Sequence, residues 1–320
     1  MTDDVRSAIA SSRWLFANRI PGSAAAERPR AITLRTGQRV TSGVTLRDVA
    51  NAVRFHIIEV WWPGTKVVGL SPEAERLVHT QTHNLVRALD DAAIALSMFD
   101  YEYAQALQRP LQRPRESLKT EFERENQRRR EIENEVRNRL RIPRDDFSRL
   151  REITQTAEVE LKRERWLSGV LPRSYAQRLV FVHARSYLFA LDRLERCFAG
   201  IVEHAEAPSA AKDEYAIFVA AFPQLSDVRD SVAHYDERSV GKGRGGGKLK
   251  LKPVSKRMIE APGGALIIEL LNDRHFGCTL ADGHYGEVEI SIDRLSTAAG
   301  CVQRLLDAFD WQGPSRHVPD

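Results

Sequence analysis

The chain has 320 residues, 42% of them apolar and 29% charged, with 48 basic against 44 acidic residues for a formal net charge of +4. That apolar content is enough to bury a core, and the length allows two domains or one elaborated domain. So small a net charge excludes a histone-like polycation, so affinity for nucleic acid has to come from local clustering.

Residues 1–44 mix Gly, Pro, Ser and Arg without a sustained period and read as an irregular arm, with a short strand at Ala31–Leu34. From Thr45, Leu46, Val49, Val53, Ile57 and Val60 recur at steps of three and four, which predicts an amphipathic helix stopped by Pro63–Gly64. Ser71 then Pro72, with acids behind them, predict the start of a helix of roughly 35 residues. Its apolar face carries Leu77, Leu85, Ala88, Ala92, Leu96, Phe99, Tyr103 and Ala106, and Pro110 and Pro114 end it.

Residues 115–141 hold 16 charged residues out of 27, with a thin stripe of Leu118, Phe122, Ile132, Val136 and Leu140. Pro143 interrupts this helix and residues 144–167 resume the same character. The expectation is a projecting, charged helical arm over 115–165 with a solvated mixed-sign face. The most regular segment follows: Val180, Ala184, Tyr187, Leu191, Leu194, Phe198, Ile201 and Ala205 alternate four and three, as on a bundle helix buried against several partners. Helical pattern continues from Ala210 to Arg238, bent or divided at Pro223.

After a basic, glycine-rich loop at 241–253 the period changes to two. The runs 257–261, 265–271, 275–280 and 285–292 read as strands, and Asp282–Gly283 as a hairpin turn. A last helix is predicted from Ser296 as cap, with Val302, Leu305, Leu306 and Phe309 inward. The fold class is mainly α: a helical bundle over 45–240 with its charged arm, then a small antiparallel β-meander and C-terminal helix over 254–320.

The candidate chemistry centres on "VRDSVAHYDER". On one helix, Arg229 and His234 lie about 140° apart, at the edges of a wide face. Asp230, four before His234, stacks on the same side and can fix the ring's tautomer. A base, an anion holder and an orienter are the roles needed to cleave a phosphodiester with its neighbouring 2′-hydroxyl, without a metal. This Arg-x4-His near a helix end resembles the HEPN superfamily of helical bundles, over about residues 172–240. The resemblance implies a homodimer whose two motifs face one cleft. It further implies a metal-independent endoribonuclease leaving 2′,3′-cyclic phosphate ends, of toxin–antitoxin or phage-defence type, with an antitoxin or other protein partner. Tyr235 directly follows the histidine, whereas the branch modified by a nucleotidyltransferase carries its tyrosine one place later, where this chain has Asp236. Many HEPN members are non-catalytic, so a helical protein- or RNA-interaction module is the alternative.

Lys242, Arg244, Lys248, Lys250 and Lys252 make the loop a candidate RNA contact or a flexible connector. The loop is not a Walker motif: Lys242 stands at the first glycine position and Leu249 where Ser or Thr would bind magnesium. His79 and His83 are spaced four apart without a third ligand, and His275, Cys278 and His284 surround one hairpin. No metal site or cofactor is assigned. Trp61, Trp62, Trp166 and Trp311 could stack bases but fit packing wedges better. Cys197, Cys278 and Cys301 form no zinc spacing or disulfide framework, and no apolar run nears the ~18 residues of a membrane span. The N-terminus lacks the features of a signal peptide, and the expected location is the cytoplasm.

Overall fold

The computed structural model describes residues 53–108, 115–143 and 145–319. The irregular arm, the strand at Ala31–Leu34, the start of the helix from Thr45, and Pro110 and Pro114 lie outside them. The described elements, in order, are β1 (Val60–Trp62), β2 (Lys66–Val68), α1 (Pro72–Gln108), α2 (Arg115–Arg139), α3 (Leu150–Leu167), α4 (Arg173–Val202), α5 (Ser209–Ala221), α6 (Leu225–Ala233) and α7 (Tyr235–Ser239). A 3₁₀ turn (Arg244–Gly246) leads to β3 (Val254–Lys256), β4 (Ile259–Ala261), β5 (Leu270–Asn272), β6 (His275–Thr279), β7 (Tyr285–Glu289), α8 (Ile292–Asp307), β8 (Asp310–Gln312) and β9 (Arg316–Val318). The chain is mainly helical with small antiparallel sheets towards its C-terminal end.

α1 begins where the sequence places it. The Ala74 N–H donates to Ser71 Oγ at 3.4 Å, Pro72 fills the first helical position and Glu73 and Glu75 face the dipole. Its long partner is α4, and between them lie Leu85, Leu89, Leu96 and Phe99 from one side and Tyr187, Leu191, Leu194 and Phe198 from the other, all at most 1% exposed. α5 and α8 close this core, and α6 bridges α4 to the three-stranded sheet β5–β6–β7. Ile132, Val136, Ile142, Ile153, Ala157 and Leu161 form a second, separate core that joins α2 to α3. Arg128–Glu164, Arg165–Glu125 and Arg139–Glu160 flank it at 2.7, 2.6 and 2.6 Å, surface pairs that add little stability each.

The helix expected up to Trp62 is not formed over 53–62. Residues 53–59 are irregular and Val60–Trp62 is a strand, antiparallel to β9 with Val60 opposite Val318. Val60 and Trp62 are buried while Trp61 is exposed, which is a period of two. The run is rich in β-branched and aromatic residues, which favour a pleated surface once a partner strand exists. Ile57, expected on the helical face, is 65% exposed. The cap of the last helix is Ser291, whose Oγ accepts the Arg294 N–H at 3.3 Å, so Ser296 lies inside α8. Of the run 265–271, only its end becomes strand β5. The helix expected to reach Trp311 stops at Asp307, and Asp310–Gln312 pairs with β2.

Candidate nucleic-acid interface

α6, a nine-residue helix whose Leu225 and Val228 are buried, carries Arg229 and Asp230 of the Arg-x4-His motif, with His234 just past its end. Arg229 turns towards α4: its Nε donates to Asp192 Oδ1 at 2.8 Å and its guanidinium also reaches Asp230 Oδ1 at 2.8 Å. Arg196 holds the other Asp192 oxygen at 3.0 Å. The Arg229 and Asp192 side chains are only 15% and 11% exposed. Burial raises the Asp192 carboxyl above its ordinary value, outweighing the pull of Arg196, and raises Glu195 beside it. The arginine of the motif is therefore a cross-helix tie whose donors face protein carboxylates.

Asp230 was expected to stack on His234 but pairs with Arg229 instead. A guanidinium is the stronger partner for a carboxylate, because each hydrogen bond carries charge at both ends. His234 follows the last residue of α6 as its C-cap, with its backbone N–H on Asp230 O at 3.0 Å. Its side chain is exposed and makes no hydrogen bond or ion pair with the described residues.

The five-residue helix α7 leads from His234 to the basic segment. This segment is a folded hairpin rather than a loose connector. Lys242 and Lys248 bridge, the Gly243 N–H donates to Gly247 O at 2.7 Å, and the Leu249 N–H donates to Gly241 O at 2.8 Å. Beneath it, buried Arg238 donates to the Lys242 carbonyl at 2.6 Å, and Leu249 points inward at 8% exposure. The turn between β6 and β7 pins the hairpin from the other side. The Arg244 N–H approaches Ala281 O at 3.4 Å, and the Lys252 N–H donates to Gly283 O at 2.9 Å. Gly283 has φ +91°, and a Cβ there would lie 1.8 Å from the Lys250 carbonyl oxygen, so only glycine permits the approach.

Lys242, Arg244, Lys248, Lys250 and Lys252 all project from this hairpin as exposed side chains. None of them forms an ion pair among the described residues. Of the nearby acids, Glu237 leans on Arg238 at 3.5 Å and Asp282 on His284 at 2.9 Å.

The histidine and cysteine candidates scatter. His79 packs edge-on to His83 (4.7 Å between rings), and His83 lies 4.5 Å from buried Trp62. Burial lowers the His83 pKa, helped by His79, Arg316 and Arg87. Cys278 faces inward, its thiol on Val228 O at 3.8 Å and its pKa pushed up to about 12 by burial. His275, three residues away on the same strand, therefore lies on the opposite face, and exposed His284 pairs with Asp282. Trp62 is a core residue set edge-to-face against Trp311 at 5.7 Å, whereas Trp61 and Trp166 are exposed.

Asp192, Arg238, Val240, Leu249, Leu251 and Leu266 also shape this region, though no motif of the sequence marks them as site residues. The alternation Lys-Leu-Lys-Leu-Lys at 248–252 carries a signal for the leucines, because period two sets them on the side away from the lysines; Leu249 is buried and Leu251 stays 36% exposed. Compared with protein-family models, curated proteins and solved structures, the chain has no match.

Proposed function

We propose that the chain is a non-catalytic RNA-binding module whose contact surface is the basic hairpin 241–252. The observation that carries this reading is the set of five exposed cations without acidic partners among the described residues, displayed on a turn that two neighbouring segments hold in shape. Pre-organised cations bind phosphates without first being ordered, and phosphate contacts supply most non-specific affinity. The motif on α6 supports binding over cleavage. Arg229 is held by Asp192 and Asp230, and among the described residues no carboxylate pairs with the His234 ring.

The test is fluorescence anisotropy of a labelled single-stranded RNA across 50–200 mM salt. If all five cations meet phosphates, the logarithm of affinity falls with a slope of about −3.5, a loss of about 100-fold over that range. Changing Lys242, Arg244 and Lys248 to Gln together should flatten the slope by about 2. An unchanged slope, or no binding, overturns the proposal. RNA fragments with 2′,3′-cyclic phosphate ends that vanish in His234→Ala would replace it with the metal-independent endoribonuclease that the HEPN resemblance implies.

A further inference from the structure

We infer that the hairpin binds single-stranded rather than duplex RNA, by seating one unpaired base in the apolar depression beside it. The inference rests on the RNA-binding reading. The depression, with a volume of about 460 Å³, is walled by Val240, Leu249, Leu251 and Leu266, with Lys242 and Lys248 on its lining. Gly264, at φ +81°, lies against Leu251 and is not itself part of the lining. A Cβ there would lie 2.7 Å from Leu251 Cβ, so the bare glycine lets its turn close on Leu251 and brings Leu266 to the hairpin. Val240 and Leu266 stay 67% and 40% exposed, apolar surface left open beside Lys242 and Lys248.

The occupant must satisfy both features. It needs a flat apolar face for the leucines and valine, and negative charge within reach of the lysines. A nucleotide of a single strand has both, its base face free and its phosphates on either side. A paired base does not, because stacked neighbours cover its faces. With aliphatic walls and no aromatic ring among the lining residues, the pocket grips any base weakly and selects strandedness rather than sequence.

The experiment compares one RNA single-stranded, annealed to its complement, and with a single abasic position, against wild-type protein and Val240→Ser/Leu266→Ser. Both substitutions fall on exposed side chains, and circular dichroism verifies the fold. Expected is a preference of about 3- to 5-fold for the single strand. The double variant should lose about 3- to 5-fold at every salt concentration with its salt slope unchanged, at or just under the lower end of what a base stacked on an aromatic ring contributes. The abasic strand should lose a similar factor with wild type. Equal binding of duplex and single strand, or a variant that binds single strands like wild type, overturns the base pocket and leaves RNA binding standing. Binding of neither RNA overturns both. An acidic leucine-rich peptide that binds where neither RNA does would assign the depression to a protein partner.

Discussion

Arg229→Ala separates a tie within the fold from an anion-binding role. The substitution leaves Asp192, with an 11% exposed side chain, holding Arg196 alone. Removing one partner of a buried pair costs about 3–5 kcal/mol, and a hydrogen bond to a charged group contributes about 1.5–3 kcal/mol. Two features lower the figure here. Arg196 keeps half of the carboxylate paired, and Asp192, already raised by burial, can take up a proton once Arg229 is gone. The expected loss is about 1.5–3 kcal/mol, or roughly 4–10 °C in melting temperature for a domain of this size. Protonation sets the sign with pH. A carboxyl raised in the folded state stabilises it while protonated and loses that contribution as pH rises through the folded value. The variant raises Asp192 further, so its deficit against wild type should be smaller near pH 5 than near pH 8. His234→Ala, at an exposed position without a side-chain partner among the described residues, should stay within about 0.5 kcal/mol of wild type. The assay is thermal unfolding by circular dichroism at both pH values, with Arg229→Ala/Asp192→Asn closing a double-mutant cycle of about 0.5–3 kcal/mol coupling. A melting temperature for Arg229→Ala within 1 °C of wild type at pH 8 would refute the tie.

Gly283→Ala removes no charge, yet its Cβ would collide with the Lys250 carbonyl, so RNA affinity in the anisotropy assay should fall while the two unbound proteins keep the same helical content. Ile132→Ala, in the separate core of the arm, should cost about 2–4 kcal/mol and raise amide exchange in α2 and α3 without raising it in α1 or α4. Cys197, Cys278 and Cys301 are buried free thiols with raised pKa, so a thiol reagent at pH 8 should label none of them quickly until denaturant is added.

Local signals with a clear period were legible in the sequence. The residues from Val180 to Ile201 chosen for the face of α4 are all buried, whereas Ala205, read on the same face, is exposed past the helix end at Val202, and the Ser71–Pro72 start of α1 holds to the residue. Segments whose state depends on a distant partner were not. Val60–Trp62 is a strand only because Arg316–Val318 lies beside it, and over so short a run its apolar residues fit a helix as well. Ser291 and Ser296 are both plausible caps, and the strand that ends at Glu289 decides between them. At the candidate site the cations of the hairpin could be named from the sequence, but not its shape, which depends on contacts with Ala281 and Gly283 some thirty residues later. The partner of Arg229 was hidden likewise: Asp192 lies 37 residues earlier, among the apolar positions of α4.

The two ribbons β1–β9 and β2–β8 set a timetable for synthesis. Residues 60–68 pair with residues 310–318, and the bond from Thr65 to Gln312 spans 247 positions. At a translation rate of about 5–20 residues per second, the first strands emerge roughly 12–50 s before their partners exist. During that interval α1 to α7 can form and pack while Trp62 and Val67 wait on uncovered strand edges. A ribosome that stopped shortly after Asp307 would release a chain with all its described helices and neither ribbon.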